Sequence, residues 1–219
     1  MTDVATAVGF LGGTFDPVHL GHVALAEEVR SRLSLPRVLL APTAVPPHKT
    51  ARRLSPADVR EAMLRLALRG RVGLELCTLE LRRDVCYTID TLRTLRDGDP
   101  PLRPLLTIGT DALAQIHTWR DYRELLEEFD VVVADRAGQE LQSVRPDLEA
   151  AITDRIVDLP TREGSAGGSI YPLPFEPMAV SSSAIRRRAA RGESLAGLVP
   201  PAVAEYIGRT GLYRRENAR

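Results

Sequence analysis

The chain has 219 residues, of which 44% are hydrophobic and 26% are charged, and its 29 basic and 29 acidic side chains leave no formal net charge. This composition is typical of one ordinary soluble globular domain and excludes a disordered chain. The balanced charge argues against a nonspecific nucleic-acid surface, which needs clustered basic groups. We find no linker, repeat or low-complexity tract, and therefore expect a single domain over residues 1–219.

The first ten residues lack a charged leader followed by a long apolar run, and no stretch approaches the roughly 18 apolar residues that a membrane span needs. The two cysteines, Cys77 and Cys86, have no zinc-site spacing with the four histidines, so we expect reduced packing residues. The sequence predicts a cytoplasmic protein without a membrane partner and leaves homo-oligomerisation open.

Short aliphatic runs alternate along the chain with segments of helical period. Because this is the rhythm of βαβ units, we predict an α/β, Rossmann-like, doubly wound parallel sheet with a small C-terminal helical part. Strands are predicted at residues 5–11, 38–41, 73–77, 105–108, 131–134 and 156–159, with a proline-interrupted edge segment at 170–180. Helices are predicted at 19–33, 56–68 with Ser55 as N-cap, 88–96, 112–128, 182–191 and 201–210.

The segment from Gly12 to His22, between the first strand and the first helix, carries the strongest chemical signal. In an open α/β sheet that junction lies at the carboxyl edge, where ligands bind. Glycines let the backbone approach a ligand, and a helix N-terminus favours phosphate. His19 and His22 share the first helical turn, so they predict a phosphate cradle. The segment resembles the HxGH signature of the nucleotidyltransferase superfamily.

A second signal lies at residues 180–186, where Ser181, Ser182 and Ser183 lead into a helix that contains Arg186. Hydroxyls, free N–H groups and a guanidinium converge there on one site for an anion. Taken alone, the segment is more typical of a plain N-cap with a solvated Arg face. It resembles the I-S-S-T-x-I-R signature of the same superfamily, with Val180 and Ser183 as conservative replacements.

Further blocks lie between these two signatures, in the order and spacing of a known family. They run from Pro42 to Lys49, from Cys86 to Leu92, from Ile108 to Leu125 and from Val131 to Gly138. Together with the C-terminal residues 198–213, they closely resemble bacterial nicotinate mononucleotide adenylyltransferases. Ala137 and Arg120 depart from the family pattern, which usually has Pro and an aromatic residue there.

The resemblance implies adenylyl transfer from ATP to nicotinate mononucleotide, with Mg²⁺ held by the nucleotide. Catalytic roles are implied for His19, His22 and Arg186. The implied ATP-binding residues are Gly12, Gly13, Thr14, Phe15, His19, His22, Gly109, Asp111, Arg136, Ser182, Ser183 and Arg186. The implied nicotinate mononucleotide-binding residues are Lys49, Thr88, Trp119 and Arg120. Thr88 and the backbone at 119 and 120 would bind the nicotinate carboxylate. The Trp119 ring would stack on the pyridine ring.

Several of these residues also have ordinary structural interpretations. Trp119 could be a core residue, Thr88 a helix cap, and Asp16 either a turn former or an outer contact of the metal. At the level of the whole chain, the alternatives are transfer to nicotinamide mononucleotide or phosphopantetheine, and a non-catalytic module that senses dinucleotides. Lys49 is the only Lys, since the other 28 of the 29 basic residues are Arg, and a compact ammonium there is expected to meet the acceptor phosphate.

Overall fold

The computed structural model describes residues 7–43, 54–82, 86–98, 101–135, 141, 145, 148–157, 168–176 and 178–214. Within these ranges, six parallel strands form one sheet in the order β3-β2-β1-β4-β5-β6. The strands are β1 (Ala7–Gly13), β2 (Val38–Pro42), β3 (Leu74–Leu76), β4 (Arg103–Gly109), β5 (Val131–Ala134) and β6 (Ile170–Leu173). The parallel, doubly wound sheet confirms the predicted α/β class, and β6 lies at the predicted edge.

Helices cover both faces of this sheet. They are α1 (Leu20–Arg32), α2 (Ala57–Leu68), α3 (Thr88–Arg96), α4 (Thr110–Ala114), α5 (Tyr122–Glu128), α6 (Ala150–Thr153), α7 (Ser182–Ala190) and α8 (Pro201–Thr210). Helices α1, α2, α7 and α8 contribute to one apolar core, and α3 to α6 to the other. Neighbouring strand residues serve opposite cores, as Phe10 and Leu11 do, because side chains alternate across a strand.

The chain order reverses at the centre of the sheet. The path from β1 through β2 to β3 moves to one side, and the path from β3 returns across to β4, which pairs with the other edge of β1. Ligands of open α/β sheets bind at the carboxyl end of such a reversal. The fold therefore places Gly13, at the end of β1, and Gly109, at the end of β4, at the expected site.

The predicted continuous helix at 112–128 is wrong. The chain forms α4, then a 3₁₀ turn at Ile116–Thr118, and then α5, with Asp121 in the left-handed region at φ 50°. Trp119 is extended at φ −79° and ψ 146°. The apolar period continues through the break, since Leu113, Ile116 and Leu125 are all buried, and periodicity alone therefore concealed it.

Two smaller predictions also need correction. Pro56, and not Ser55, is the N-cap of α2, because Pro56 has ψ 149° and is still outside the helical conformation. The Ser55 N–H donates to the Asp16 carboxylate 3.2 Å away. Of the predicted strand at 156–159, residues 158 and 159 lie outside the described residues, and Ile156 forms one parallel bridge with Ile170. Cys77 and Cys86 are free cysteines, as expected. In the described ranges, no helix has both the length and the apolarity to cross a bilayer.

Candidate active site

Two cavities open beside the carboxyl ends of β1 and β4. A polar cleft of about 620 Å³ lies on the α1 and α7 side, and an aromatic pocket of about 270 Å³ lies on the α3 side. Gly12 lines both. The two cavities are therefore neighbours that meet where the β1 backbone carries no side chain.

The HxGH segment forms the α1 wall of the polar cleft. His19 is the N-cap of α1, in extended conformation, and its backbone N–H donates to Nδ1 of His22 over 3.2 Å. The two imidazole rings stack with their centroids 3.6 Å apart. A Cβ on Gly21 would lie only 3.1 Å from both His19 Nδ1 and Val180 Cγ1, so only glycine leaves this arrangement unstrained. The two histidines thus form one rigid unit on the cleft wall.

The start of α7 forms the opposite wall. Ser181 is its N-cap, and its side-chain oxygen accepts the N–H of Ala184 over 3.2 Å. Ser181 lines the cleft, whereas the two predicted serines have other contacts in this structure. Ser182 Oγ donates to the carbonyl of Pro17 over 2.9 Å, and Ser183 Oγ accepts from Arg186 Nη2 over 2.8 Å. The serines that were assigned to phosphate therefore join α7 to the HxGH loop and hold the arginine.

Strand ends complete the cleft on its third side. Gly109 and Asp111 line it, and a Cβ on Gly109 would lie 2.6 Å from Asp111 Oδ1. The absence of a side chain at 109 is therefore what lets the Asp111 carboxylate sit at the start of α4. Asp135, directly after β5, also lines the cleft. It was missed, although a polar residue at a strand exit was a usable signal.

The aromatic pocket is built by the break between α4 and α5 and by the start of α3. Trp119 and Arg120 line it on one side, and Tyr87 and Thr88 line it on the other. The Arg120 guanidinium carbon lies 4.6 Å from the Tyr87 ring centroid, a cation–π contact across the mouth. The Trp119 backbone N–H already donates to the carbonyl of Ile116 over 2.9 Å, so this residue offers the pocket its ring.

Other predicted residues take different positions. Gly13 and Thr14 line the aromatic pocket, while Phe15 is buried with its ring centroid 4.9 Å from that of His22 in an edge-on contact. Phe15 therefore supports the histidine pair from the core. Lys49 and Arg136 lie outside the described residues.

A buried polar network behind the HxGH loop was not predicted from the sequence. Arg60 is 1% exposed and donates to the carbonyls of Thr14 and Thr43 over 3.0 and 2.6 Å. Burial lowers the pKa of Arg60, while the nearby carboxylate of Asp16 acts in the opposite direction. Asp16 is also 1% exposed and accepts the hydroxyl of Tyr213 over 2.6 Å. Buried charged side chains therefore support the loop that carries the histidines from the side of the protein interior.

A magnesium ion has few candidate ligands here. The described residues contain no cluster of three or more His, Cys, Asp or Glu side chains with metal-site geometry. The Asp16 carboxylate is occupied by Tyr213 and by the Ser55 N–H. Asp111 and Asp135 line the polar cleft. A Mg²⁺ that keeps several waters and binds mainly to nucleotide phosphates fits this donor set.

The chemistry of the two cavities is complementary. Two helix N-termini, at His19 and Ser181, reach the polar cleft and supply N–H groups and partial positive charge to an anion. The aromatic pocket offers the Trp119 ring for stacking and the first turn of α3, at Thr88, for a carboxylate. Together they suit a phosphate-rich ligand beside a planar, anionic one.

Comparison with known proteins gives consistent similarities. The sequence pattern of the cytidylyltransferase-like family matches residues 10–188. A protein of Symbiobacterium thermophilum with the name "probable nicotinate-nucleotide adenylyltransferase" is 39% identical over 209 residues, which cover 95% of each chain. A protein of the same name from Pseudomonas syringae pv. tomato is 40% identical over 220 residues, which cover 99% of this chain and 98% of the relative.

A solved structure has a similar fold. The Plasmodium falciparum nicotinic acid mononucleotide adenylyltransferase complexed with NaAD superposes with a TM-score of 0.73, covering 95% of this chain and 97% of that chain. Its sequence is 16% identical, so the likeness concerns the fold.

Proposed function

Because the chain belongs to the nicotinate-nucleotide adenylyltransferase family of cytidylyltransferase-like proteins, we propose that it transfers the adenylyl group of ATP to nicotinate mononucleotide, forming nicotinate adenine dinucleotide and diphosphate. One observation carries the proposal. The polar cleft with two helix N-termini and the aromatic pocket with Trp119 meet at Gly12, so two substrates can lie side by side.

The chemical step needs no protein nucleophile. A phosphate oxygen of the mononucleotide forms a bond to the α-phosphorus of ATP, and the bond from that phosphorus to the bridging oxygen of the β-phosphate breaks. The electron pair leaves with diphosphate. Catalysis by the protein therefore consists of alignment and of charge stabilisation on the equatorial and leaving oxygens.

His19, His22 and Arg186 are the residues we propose for charge stabilisation. The histidines line the polar cleft and stack against one another, which fixes their direction. Arg186 is held by Ser183 and by the carbonyl of Asp16 and does not line the cleft in this structure. It lies one turn inside α7, whose N-cap Ser181 does line the cleft, so a change of rotamer is the movement that the role requires.

The adenosine half is assigned to the strand ends on the cleft. Gly109 leaves room for the Asp111 carboxylate, which can accept the hydroxyls of a ribose. Arg136 stays a proposal for the adenine. Ser182 and Ser183 contribute by fixing α7 and Arg186, and the direct hydroxyl at the cleft is that of Ser181.

The acceptor is assigned to the aromatic pocket. Trp119 would stack on the pyridine ring, and Thr88, the first residue of α3, would receive the carboxylate with help from the helix N-terminus. The Arg120 side chain would add positive charge at the mouth. Lys49 stays the proposed partner of the acceptor phosphate. Mg²⁺ would enter on ATP and neutralise charge on its phosphates.

A diphosphate-release assay tests the proposal. Purified protein with ATP, Mg²⁺ and nicotinate mononucleotide is expected to release diphosphate and form the dinucleotide. Parallel reactions with nicotinamide mononucleotide and with phosphopantetheine identify the preferred acceptor. Release with no acceptor, or nucleotide binding without turnover on the three of them, would contradict the proposed function and favour a sensing module.

A further inference from the structure

The end of the chain returns to the HxGH loop. After α8 the backbone turns through Gly211, at φ 65°, and Tyr213, at φ 69°, both in the left-handed region. This brings the Tyr213 hydroxyl to 2.6 Å from Oδ1 of Asp16, a residue 197 positions earlier in the chain. A residue with a side chain adopts this conformation only where surrounding contacts hold it. The contact with Asp16 is the polar part of that support.

Asp16 connects Tyr213 to Arg186. Its second carboxylate oxygen, Oδ2, accepts the N–H of Ser55 over 3.2 Å and lies 4.0 Å from Arg186 Nη1. The same Nη1 donates to the backbone carbonyl of Asp16. One buried residue thus touches a tyrosine hydroxyl with one atom and the arginine with two others.

The environment makes this connection rigid. The Asp16 side chain is 2% exposed and that of Arg186 is 14% exposed, so water competes little for their contacts. Burial, and after it the hydrogen bond to Asp16, raises the pKa of Tyr213, so the phenol stays a neutral donor at any working pH. The hydroxyl therefore always donates to the carboxylate.

We propose that Tyr213 is a positioning residue of the reaction: through Asp16 it fixes the resting rotamer of Arg186, from which the guanidinium turns into the polar cleft toward the phosphates of the adenylyl donor. The inference rests on the proposed function for its turnover readout, and on phosphate binding by Arg186. Tyr213 lies 27 positions after Arg186 and lines neither cavity, so its effect must pass through the network.

The test replaces Tyr213 with Phe, which removes one oxygen and retains the ring. We expect kcat to fall about tenfold and the KM for ATP to rise severalfold, because misplacing a charged group by a fraction of an ångström weakens transition-state contacts. The KM for the mononucleotide should stay within twofold. Tyr206→Phe is the matched control, since this half-buried tyrosine of α8 lies near Arg209 and outside the network. It should change no kinetic constant.

Substitution of Tyr213 in a protein that already lacks Arg186 tests whether Tyr213 acts through Arg186. If Tyr213 acts through Arg186, then Tyr213→Phe should slow an Arg186→Gln protein less than twofold further, since coupled sites are non-additive. If the two substitutions reduced kcat independently, so that their effects multiplied, the proposal would be overturned. A kcat of Tyr213→Phe within twofold of wild type would also overturn it.

Diphosphate binding, measured by calorimetry, needs no acceptor. We expect Tyr213→Phe to weaken it about fivefold, and Tyr206→Phe to leave it unchanged. If the wild-type protein binds diphosphate but shows no turnover, the proposed function fails while this measurement still decides the role of Tyr213. Equal diphosphate affinity in wild type and Tyr213→Phe, or none in wild type, would overturn the role.

Discussion

The polar cleft and the aromatic pocket lie at the same edge of the sheet but differ in volume and in the chemistry of their lining residues. The cleft is about 620 Å³ and is lined by imidazoles, carboxylates and a helix cap. The pocket is about 270 Å³ and is lined by aromatic rings, aliphatic and threonine side chains, and the two charged residues Glu80 and Arg120. Polar groups that already hold one another suit charge stabilisation without reorganisation. A small apolar pocket with few polar groups suits selection of one ligand.

The two cavities also differ in how the chain builds them. The cleft uses local sequence, since His19 and His22 lie on one turn of α1 and Ser181 caps α7. The pocket depends on the interruption of the helical segment before α5, where Trp119 has an extended conformation. The comparison therefore predicts that substitutions in the cleft reduce turnover, while substitutions in the pocket reduce affinity for the acceptor.

The largest effect is expected in the cleft, for His22→Ala. Loss of the imidazole should lower kcat about 10²- to 10³-fold, because the group acts on charge that develops in the transition state. The KM for the mononucleotide should change less than threefold. Steady-state kinetics with each substrate varied in turn gives both values.

The control for this variant is His117→Ala, because His117 is exposed and lines neither cavity. The fold must be checked by circular dichroism, since His22 also accepts the N–H of His19 at the start of α1. Near-normal turnover of a folded His22→Ala protein would remove this residue from the mechanism and would end the division of roles between the two cavities.

The signature segments were predictable because their function depends on sequence order. A buried strand, glycines and a helix start follow one another from β1 into α1, and again at the end of β4, so the sheet edge could be located before the structure. Asp111 and Thr88, which the family resemblance implied, each lie in the first turn of a helix. Patterns over short distances, set by backbone geometry, carried these predictions.

The supporting network was not predictable for the opposite reason. Arg60 donates a hydrogen bond to the carbonyl of Thr14, which lies 46 positions earlier in the sequence, and Tyr213 donates one to Asp16, which lies 197 positions earlier. Backbone carbonyl acceptors leave no signature in the sequence, and the sequence does not distinguish a buried Arg in α2 from an exposed one. Likewise, nothing in the apolar period of residues 112–128 indicates the left-handed Asp121, which is the N-cap of α5.

A smaller effect is expected in the pocket, for Trp119→Ala. Loss of the stacking ring should raise the KM for nicotinate mononucleotide about 10- to 30-fold and leave the KM for ATP within twofold, because a stacked aromatic contact and its burial contribute mainly to binding. Trp119→Phe should recover most of the affinity. If instead kcat fell and both KM values stayed the same, the pocket would not be the acceptor site, and the contrast with the cleft would be lost.

The smallest effect is expected outside both cavities, for Glu128→Gln, which tests how far the pocket depends on the stability of its helices. Glu128 of α5 accepts from Arg93 and Arg96 of α3, the helix whose first turn lines the pocket. These hydrogen bonds, with that of Arg93 foremost, lower the pKa of Glu128 to about 2. Since the side chains are partly exposed, the variant should lose only about 2 °C in Tm at pH 7.

The pH dependence of that loss gives the sharper measurement. A carboxylate whose pKa is lower in the folded than in the unfolded protein stabilises the fold above its ordinary pKa of 4.5, and the stabilisation declines as the pH falls from there toward about 2. The difference in urea midpoint between wild type and Glu128→Gln should therefore be constant from pH 8 to pH 6 and should shrink by pH 3.5. Both KM values should stay within twofold at pH 7, because one salt-bridge cluster joins α3 to α5 while the buried side chains of Ile89, Leu92 and Leu125 hold the same helices in the core. A severalfold rise in the acceptor KM alone would show that surface charge, and not the packed core, sets the width of the aromatic pocket.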